Sequence, residues 1–186
     1  MSFLINPFAF AVAGGDFESI ATVTVGSGGA SSVSFTSISG SYQHLQIRGI
    51  GRCNLGGSPG QVQSLFVRLN GVTASNYAVH ILGGDGSSAS ASAASSQTSM
   101  TSLGLAATSN GTASVFGGVV IDILDYASTT KATTCRVLTG ADYNGSGFVR
   151  LVSGLYTGTG AVTSVSLNPD SPFVQHSTYA LYGIKA

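Results

Sequence analysis

At 186 residues the chain suits one moderate domain, which buries roughly two-thirds of its unfolded surface and needs no metal or disulfide to hold together. Only 8% of the residues are charged while 43% are hydrophobic, and seven basic residues balance seven acidic ones. With no basic run there is no electrostatic footprint for a phosphate backbone or an anionic lipid face, which argues against nucleic acid and membrane as ligands.

The chain opens on MSFLINPFAFAVA, an apolar stretch ending in Ala11-Val12-Ala13, which imitates a secretory cleavage site. No Lys or Arg precedes it and Asn6-Pro7 interrupts it, so Met1–Gly15 is expected to be a docking arm of the mature protein. Phe3, Leu4, Ile5, Phe8 and Phe10 form the expected assembly interface. A segment this short cannot bury them in a core of its own, and Pro7 keeps it from being an ordinary helix.

From residue 16 to residue 186 the pattern is that of one β domain. Apolar residues recur with period two between Gly, Ser and Asn clusters that supply turns. Strands are expected over Ser19–Val25, Ser31–Phe35, Tyr42–Arg52, Gln61–Asn70, Tyr77–Leu82, Val115–Leu124, Thr133–Gly140, Phe148–Tyr156, Val162–Leu167 and Thr178–Ile184. In Tyr42–Arg52, Leu45 and Ile47 share one face while Gln46, Arg48 and Arg52 share the other, so the arginines are expected to face outward. Asn70-Gly71 and Asn144-Gly145 read as hairpin turns, because both residue types tolerate the positive φ such turns need. Between Gly83 and Ser114 the chain is nearly pure Ser, Ala, Gly and Thr, and a long loop or packed small-residue segment is expected there. This many short strands without a helical pattern imply an all-β, antiparallel, jelly-roll-like sandwich.

The residue types that carry chemistry have bland readings. Cys53 and Cys135 fit no metal spacing and are expected as buried free thiols. His44, His80 and His176 have no partner at a fixed spacing. Asp122 and Asp125 are three apart in a strand, which sends them to opposite faces. Asp122 is expected to meet a basic neighbour in the sheet, and Asp125 to open the turn Asp125-Tyr126-Ala127-Ser128 by bonding its own backbone. Asp142-Tyr143-Asn144-Gly145-Ser146-Gly147 matches the first half of a calcium loop, but Ser153 stands where the closing acid belongs, so a hairpin is expected. No catalytic residue, cofactor or metal ligand is therefore assigned. Tyr42, Tyr77, Tyr126, Tyr143 and Tyr156 are the rings a sugar would stack on, and a host-surface carbohydrate-binding module is the alternative reading.

The run Ser41-Tyr42-Gln43-His44-Leu45-Gln46-Ile47-Arg48-Gly49-Ile50 resembles the YKHLQIR strand of a family of small structural proteins of tailed bacteriophages. Further pieces follow in that family's order: Val67-Arg68-Leu69-Asn70-Gly71, Ser75-Asn76-Tyr77, Ile121-Asp122-Ile123-Leu124-Asp125-Tyr126-Ala127, Ser153-Gly154-Leu155-Tyr156 and Tyr179-Ala180-Leu181-Tyr182-Gly183-Ile184-Lys185. The resemblance runs from Phe17 to the C-terminal end and rests on strand and turn patterns without catalytic content. It implies a non-enzymatic virion component, assembled in the host cytoplasm, that decorates the capsid as a cement protein or belongs to the tail or its fibres. The implied partners are a major capsid or tail protein and two further copies in a homotrimer, with a host glycan under the alternative. Low charge agrees with that: a free monomer usually carries about a quarter to a third charged residues on its surface.

Overall fold

The computed structural model describes residues 16–55 and 62–185. The expected arm, Met1–Gly15, with Phe3, Leu4, Ile5, Phe8 and Phe10, lies outside the described residues. The described residues form twelve strands and no helix: β1 (Phe17–Thr24), β2 (Val33–Phe35), β3 (His44–Cys53), β4 (Val62–Leu69), β5 (Tyr77–Gly84), β6 (Ala89–Gln97), β7 (Met100–Thr108), β8 (Gly117–Leu124), β9 (Thr133–Asp142), β10 (Gly147–Tyr156), β11 (Val165–Pro169) and β12 (Thr178–Ile184). The fold is all-β and mostly antiparallel, as the alternating pattern implied.

The pairing is nested. β5 pairs with β6, β4 with β7, β3 with β8 and β2 with β11, all antiparallel, as in a long ribbon rolled on itself. Rolling places the strands in two runs, β2-β11-β4-β7 and β3-β8-β9-β10-β5-β6, with β12 and β1 added beyond β3. This is the strand order of a jelly roll in which the β9–β10 hairpin is inserted between β8 and β5. The last residues of β3, Arg52 and Cys53, run parallel to Ala107 and Thr108 of β7 and link the two runs.

Burial alternates along the strands, buried and half-buried in β4 and β8, buried and largely exposed in β9. One core cluster takes side chains from both runs, including Leu65, Val67 and Leu69 of β4, Leu167 of β11, Leu45 and Ile47 of β3, Ile121 and Ile123 of β8, and Leu181 of β12. That shared core supports the sandwich arrangement. Each such side chain contributes roughly 1.5–3 kcal/mol on full burial. Tyr179 of β12 lies against Gly49 and Gly51 of β3, where an added Cβ would meet its ring at 2.2 Å and its hydroxyl at 2.0 Å respectively. The two glycines thus make the slot the ring fills.

Four local expectations change. Of the two readings of Gly83–Ser114 the long loop falls and the small-residue segment stands, as the paired strands β6 and β7. Ser and Ala carry little strand preference alone, and the partners decide: β6 pairs along β5, while β7 pairs along β4 and is buried at Leu105, Ala106 and Ala107. Small residues suit β7 because β8 crosses it closely, a Cβ at Gly117 standing 2.6 Å from the Leu105 carbonyl oxygen. Asn70-Gly71 turns as expected, with φ of 53° and 65°, but it carries the chain from β4 in one run to β5 in the other and closes no hairpin. The Tyr77 hydroxyl braces that corner, accepting from the Leu69 N–H at 3.1 Å, and the Asn70 carboxamide ties it to Ala161, Thr163 and Ser164. Arg52 is buried and not outward-facing. Its guanidinium donates to the carbonyls of Thr112 and Val115 at 2.8 Å and of Ser109 at 2.9 Å, which hold the loop after β7. Finally, Asp125 opens its turn through its main-chain carbonyl, which accepts from the Ser128 N–H at 2.9 Å, while its carboxylate receives Lys131 Nζ at 2.6 Å.

Candidate assembly surface

The longer run has one face on the core and the other toward solvent. In a free sheet of this kind the solvent face is polar. Here it is apolar over much of its area, and the registers resolve it into three rows that cross the strands.

The first row joins Arg48 of β3, Val120 of β8, Leu138 of β9, Leu151 of β10 and Leu82 of β5, each directly opposite the next. Leu138, Leu151 and Leu82 are 58%, 56% and 56% exposed, values far from those of core leucines. The second row joins Ile50, Gly118, Gly140, Val149 and Gly84 in the same strand order. Three of these five positions lack side chains, and nothing stands within 4 Å of the space above Gly118. The glycine row is therefore the floor of a trough walled by the leucine row. An open depression of about 840 Å³ occupies it, lined by Ile50, Gly118, Val120, Leu138, Gly140 and Val149. It shares Gly140 and Val149 with a second depression of about 630 Å³ that extends to Gly84 and the tips of the β5–β6 and β9–β10 turns.

The third row is polar: Gln46, Asp122, Arg136, Ser153 and His80. Gln46 Nε2 donates to Asp122 Oδ1 at 2.7 Å, Arg136 approaches Asp122 Oδ2 at 3.8 Å, and Arg48 Nε donates to Gln46 Oε1 at 2.6 Å. Asp122 thus has its expected basic neighbour. Beyond the row, at the β1–β12 edge, Phe17 stacks on Tyr182 with centroids 4.7 Å apart, and Arg48 lies over both rings at 5.0 and 5.9 Å. Below them Lys185 pairs with Glu18, which also accepts from the Tyr42 hydroxyl at 3.1 Å. Those bonds, first from Lys185 and then from Tyr42, hold the Glu18 carboxyl below its ordinary value.

The candidate chemical residues stay apart. His44 Nδ1 accepts the Asp125 N–H at 3.0 Å, while His80 and His176 are exposed on β5 and on a turn. Cys53 and Cys135 are buried and unbridged, and burial pushes both thiols up to about 12. The half calcium loop is the β9–β10 hairpin: Tyr143 N–H donates to the Ser146 carbonyl at 2.8 Å, and Asp142 accepts the Asn144 N–H at 2.7 Å. Asp85 caps the β5–β6 turn, and the amides of Ser87 and Ser88 hold its carboxyl far below the usual carboxylate range. Among the described residues no three His, Cys, Asp or Glu side chains come together as metal ligands. Of the tyrosines proposed for a sugar, Tyr77, Tyr126, Tyr143 and Tyr156 are buried and Tyr42 is half-buried against Glu18.

The apolar rows carry a sequence signal that period-two reading passes over. Val119-Val120, Val137-Leu138, Ile81-Leu82 and Leu151-Val152 place bulky apolar residues on both parities of one strand, the pattern of a strand covered on two sides. No protein-family model, curated protein or solved structure matches the chain.

Proposed function

We propose that the chain is a non-enzymatic structural component of a tailed-phage virion, a capsid-decorating or tail-associated protein that acts by oligomeric assembly, with a homotrimer as its unit. The observation that carries this reading is the solvent face of the longer run, where Ile50, Leu82, Leu138, Val149 and Leu151 stand about half exposed on a sheet with few charges. An apolar patch of this extent marks a contact surface more often than a free one. A rigid β layer suits permanent contacts, since it offers side chains whose positions are fixed before association. The resemblance of the β3, β8 and β12 segments to phage structural proteins supplies the setting.

Light scattering at micromolar concentration tests the assembly half, with trimers or larger species expected and a stable monomer contradicting it. Quantitative mass spectrometry of purified particles tests the virion half. A fixed ratio of this chain to the major capsid or tail protein is expected, and its absence from washed particles overturns the reading. Selective glycan-array binding by a monomer would establish the carbohydrate-binding alternative instead.

A further inference from the structure

The sequence itself contains a segment whose chemistry matches the trough. Resting on the self-assembly reading, we infer that the Met1–Gly15 segment of one copy lies in the outer-face trough of a neighbouring copy.

The chemistry matches on both sides. Residues 1–15 contain no charged side chain and seven bulky apolar ones in Met1, Phe3, Leu4, Ile5, Phe8, Phe10 and Val12. The trough offers glycines on its floor, Ile50 and Val149 in its line, and the leucine row as its wall. Laid out as an extended chain, the segment turns Phe8, Phe10 and Val12 to one side. The trough crosses from β3 to β5, four interstrand steps of about 4.8 Å or about 19 Å in all, and five or six extended residues span that distance. Pro7 does no harm there. The sheet's own ladder already uses the backbone groups beneath the trough, so the arm needs no N–H at that position.

Reach and direction favour a neighbour over the same copy. Fifteen extended residues reach roughly 50 Å. Phe17 sits at the Ile184–His44 level of the sheet, whereas the trough lies at the Thr178–Ile50 level, six residues or about 20 Å further along β12. β1 runs from Phe17 toward the trough level, so the described chain starts at the end of the sheet remote from the trough. To enter its own trough the segment would have to reverse and recross the Gln46–Asp122–Arg136 row, setting phenylalanines on paired charges. A copy placed beyond the Phe17 end takes the arm without reversal. Repeated around an axis, such head-to-tail exchange closes a ring and gives a trimer its symmetry.

The test mixes two full-length variants with one added cysteine each, Phe8→Cys and Leu138→Cys, under mild oxidation. An arm of one chain docked in the trough of another raises the disulfide-linked heterodimer above the yield of random encounter. Native Cys53 and Cys135 are buried and do not compete. We expect the heterodimer at least about tenfold above that from Phe8→Cys with Thr130→Cys, because a docked arm raises the local thiol concentration toward millimolar. Leu138 and Thr130 are both exposed, so neither change threatens the fold. A double variant with Phe8→Cys and Leu138→Cys in one chain serves as the comparison, and a disulfide that forms only within that chain overturns the exchange. So does the absence of any heterodimer while light scattering still reports oligomers, which leaves the assembly reading standing with another surface or partner over the trough. Monomers without a crosslink overturn both.

Discussion

Replacing Leu138 and Leu151 together by Thr should separate assembly from folding. The two residues face each other across β9 and β10 and are 58% and 56% exposed, so somewhat more than half of each side chain remains to be covered by a partner. Full burial of a Leu is worth roughly 1.5–3 kcal/mol, so covering the exposed part contributes about 1–1.5 kcal/mol per residue and about 2–3 kcal/mol for the pair. At about 1.4 kcal/mol per decade the variant should associate about two decades more weakly. Thr is β-branched and suits a strand, and both side chains stand on the solvent face, so the core cluster is left intact. The cost to folding should stay near 1 kcal/mol per site, which shifts the melting temperature by about 2–4 °C each in a chain of this size. Sedimentation velocity across a dilution series reads the association, and thermal circular dichroism reads the fold. An unchanged oligomer distribution with an unchanged melting temperature would refute the assignment of this face to assembly.

The remaining expectations concern the frame that holds the face. Arg52→Met leaves the carbonyls of Ser109, Thr112 and Val115 without their shared donor in a buried site, and should lower stability by about 3–5 kcal/mol in urea unfolding; a change below about 1 kcal/mol would mean that water replaces the guanidinium. Cys53 and Cys135, pushed up to about 12 by burial, should not react with iodoacetamide in the native protein at pH 8, and two thiols should react once the chain is unfolded. Glu18 has a folded-state value below its ordinary 4.5, so its contribution is present above that value and lost as pH falls through the folded one. Its carboxyl resonance should titrate below pH 4.5 and move back toward it in Lys185→Met; identical midpoints would show that the ion pair does not persist in solution.

Strand positions were legible wherever bulky residues alternate. The expected strand Thr178–Ile184 coincides with β12, and the Asn144-Gly145 turn joins β9 to β10 as its residue types demand. β6 and β7 were not legible, because Ala and Ser fit a strand only when a neighbour supplies the ladder, and β5 and β4 lie far from them in composition. Arg52 reads as an outward residue by parity. The end of β3 crosses between the runs there, and the carbonyl-rich loop after β7 makes burial of a guanidinium tolerable. The Asn70-Gly71 turn shows a related limit: local chemistry fixes the positive φ, while the pairing of the next strand is decided by β6 and β10. The trough depends on register between five strands, which no single strand's sequence reveals, although the doubled apolar positions in β8, β9, β10 and β5 mark a second apolar face.

A reconstruction of the intact particle at side-chain detail decides whether the outer face of the longer run is an assembly surface. It should show a repeating oligomer of this jelly roll on the head or tail, with the Leu82–Leu151–Leu138 row and the trough beside it buried against neighbouring protein. A particle that contains no such density, or that carries the domain with this face open to solvent in every copy, would contradict it.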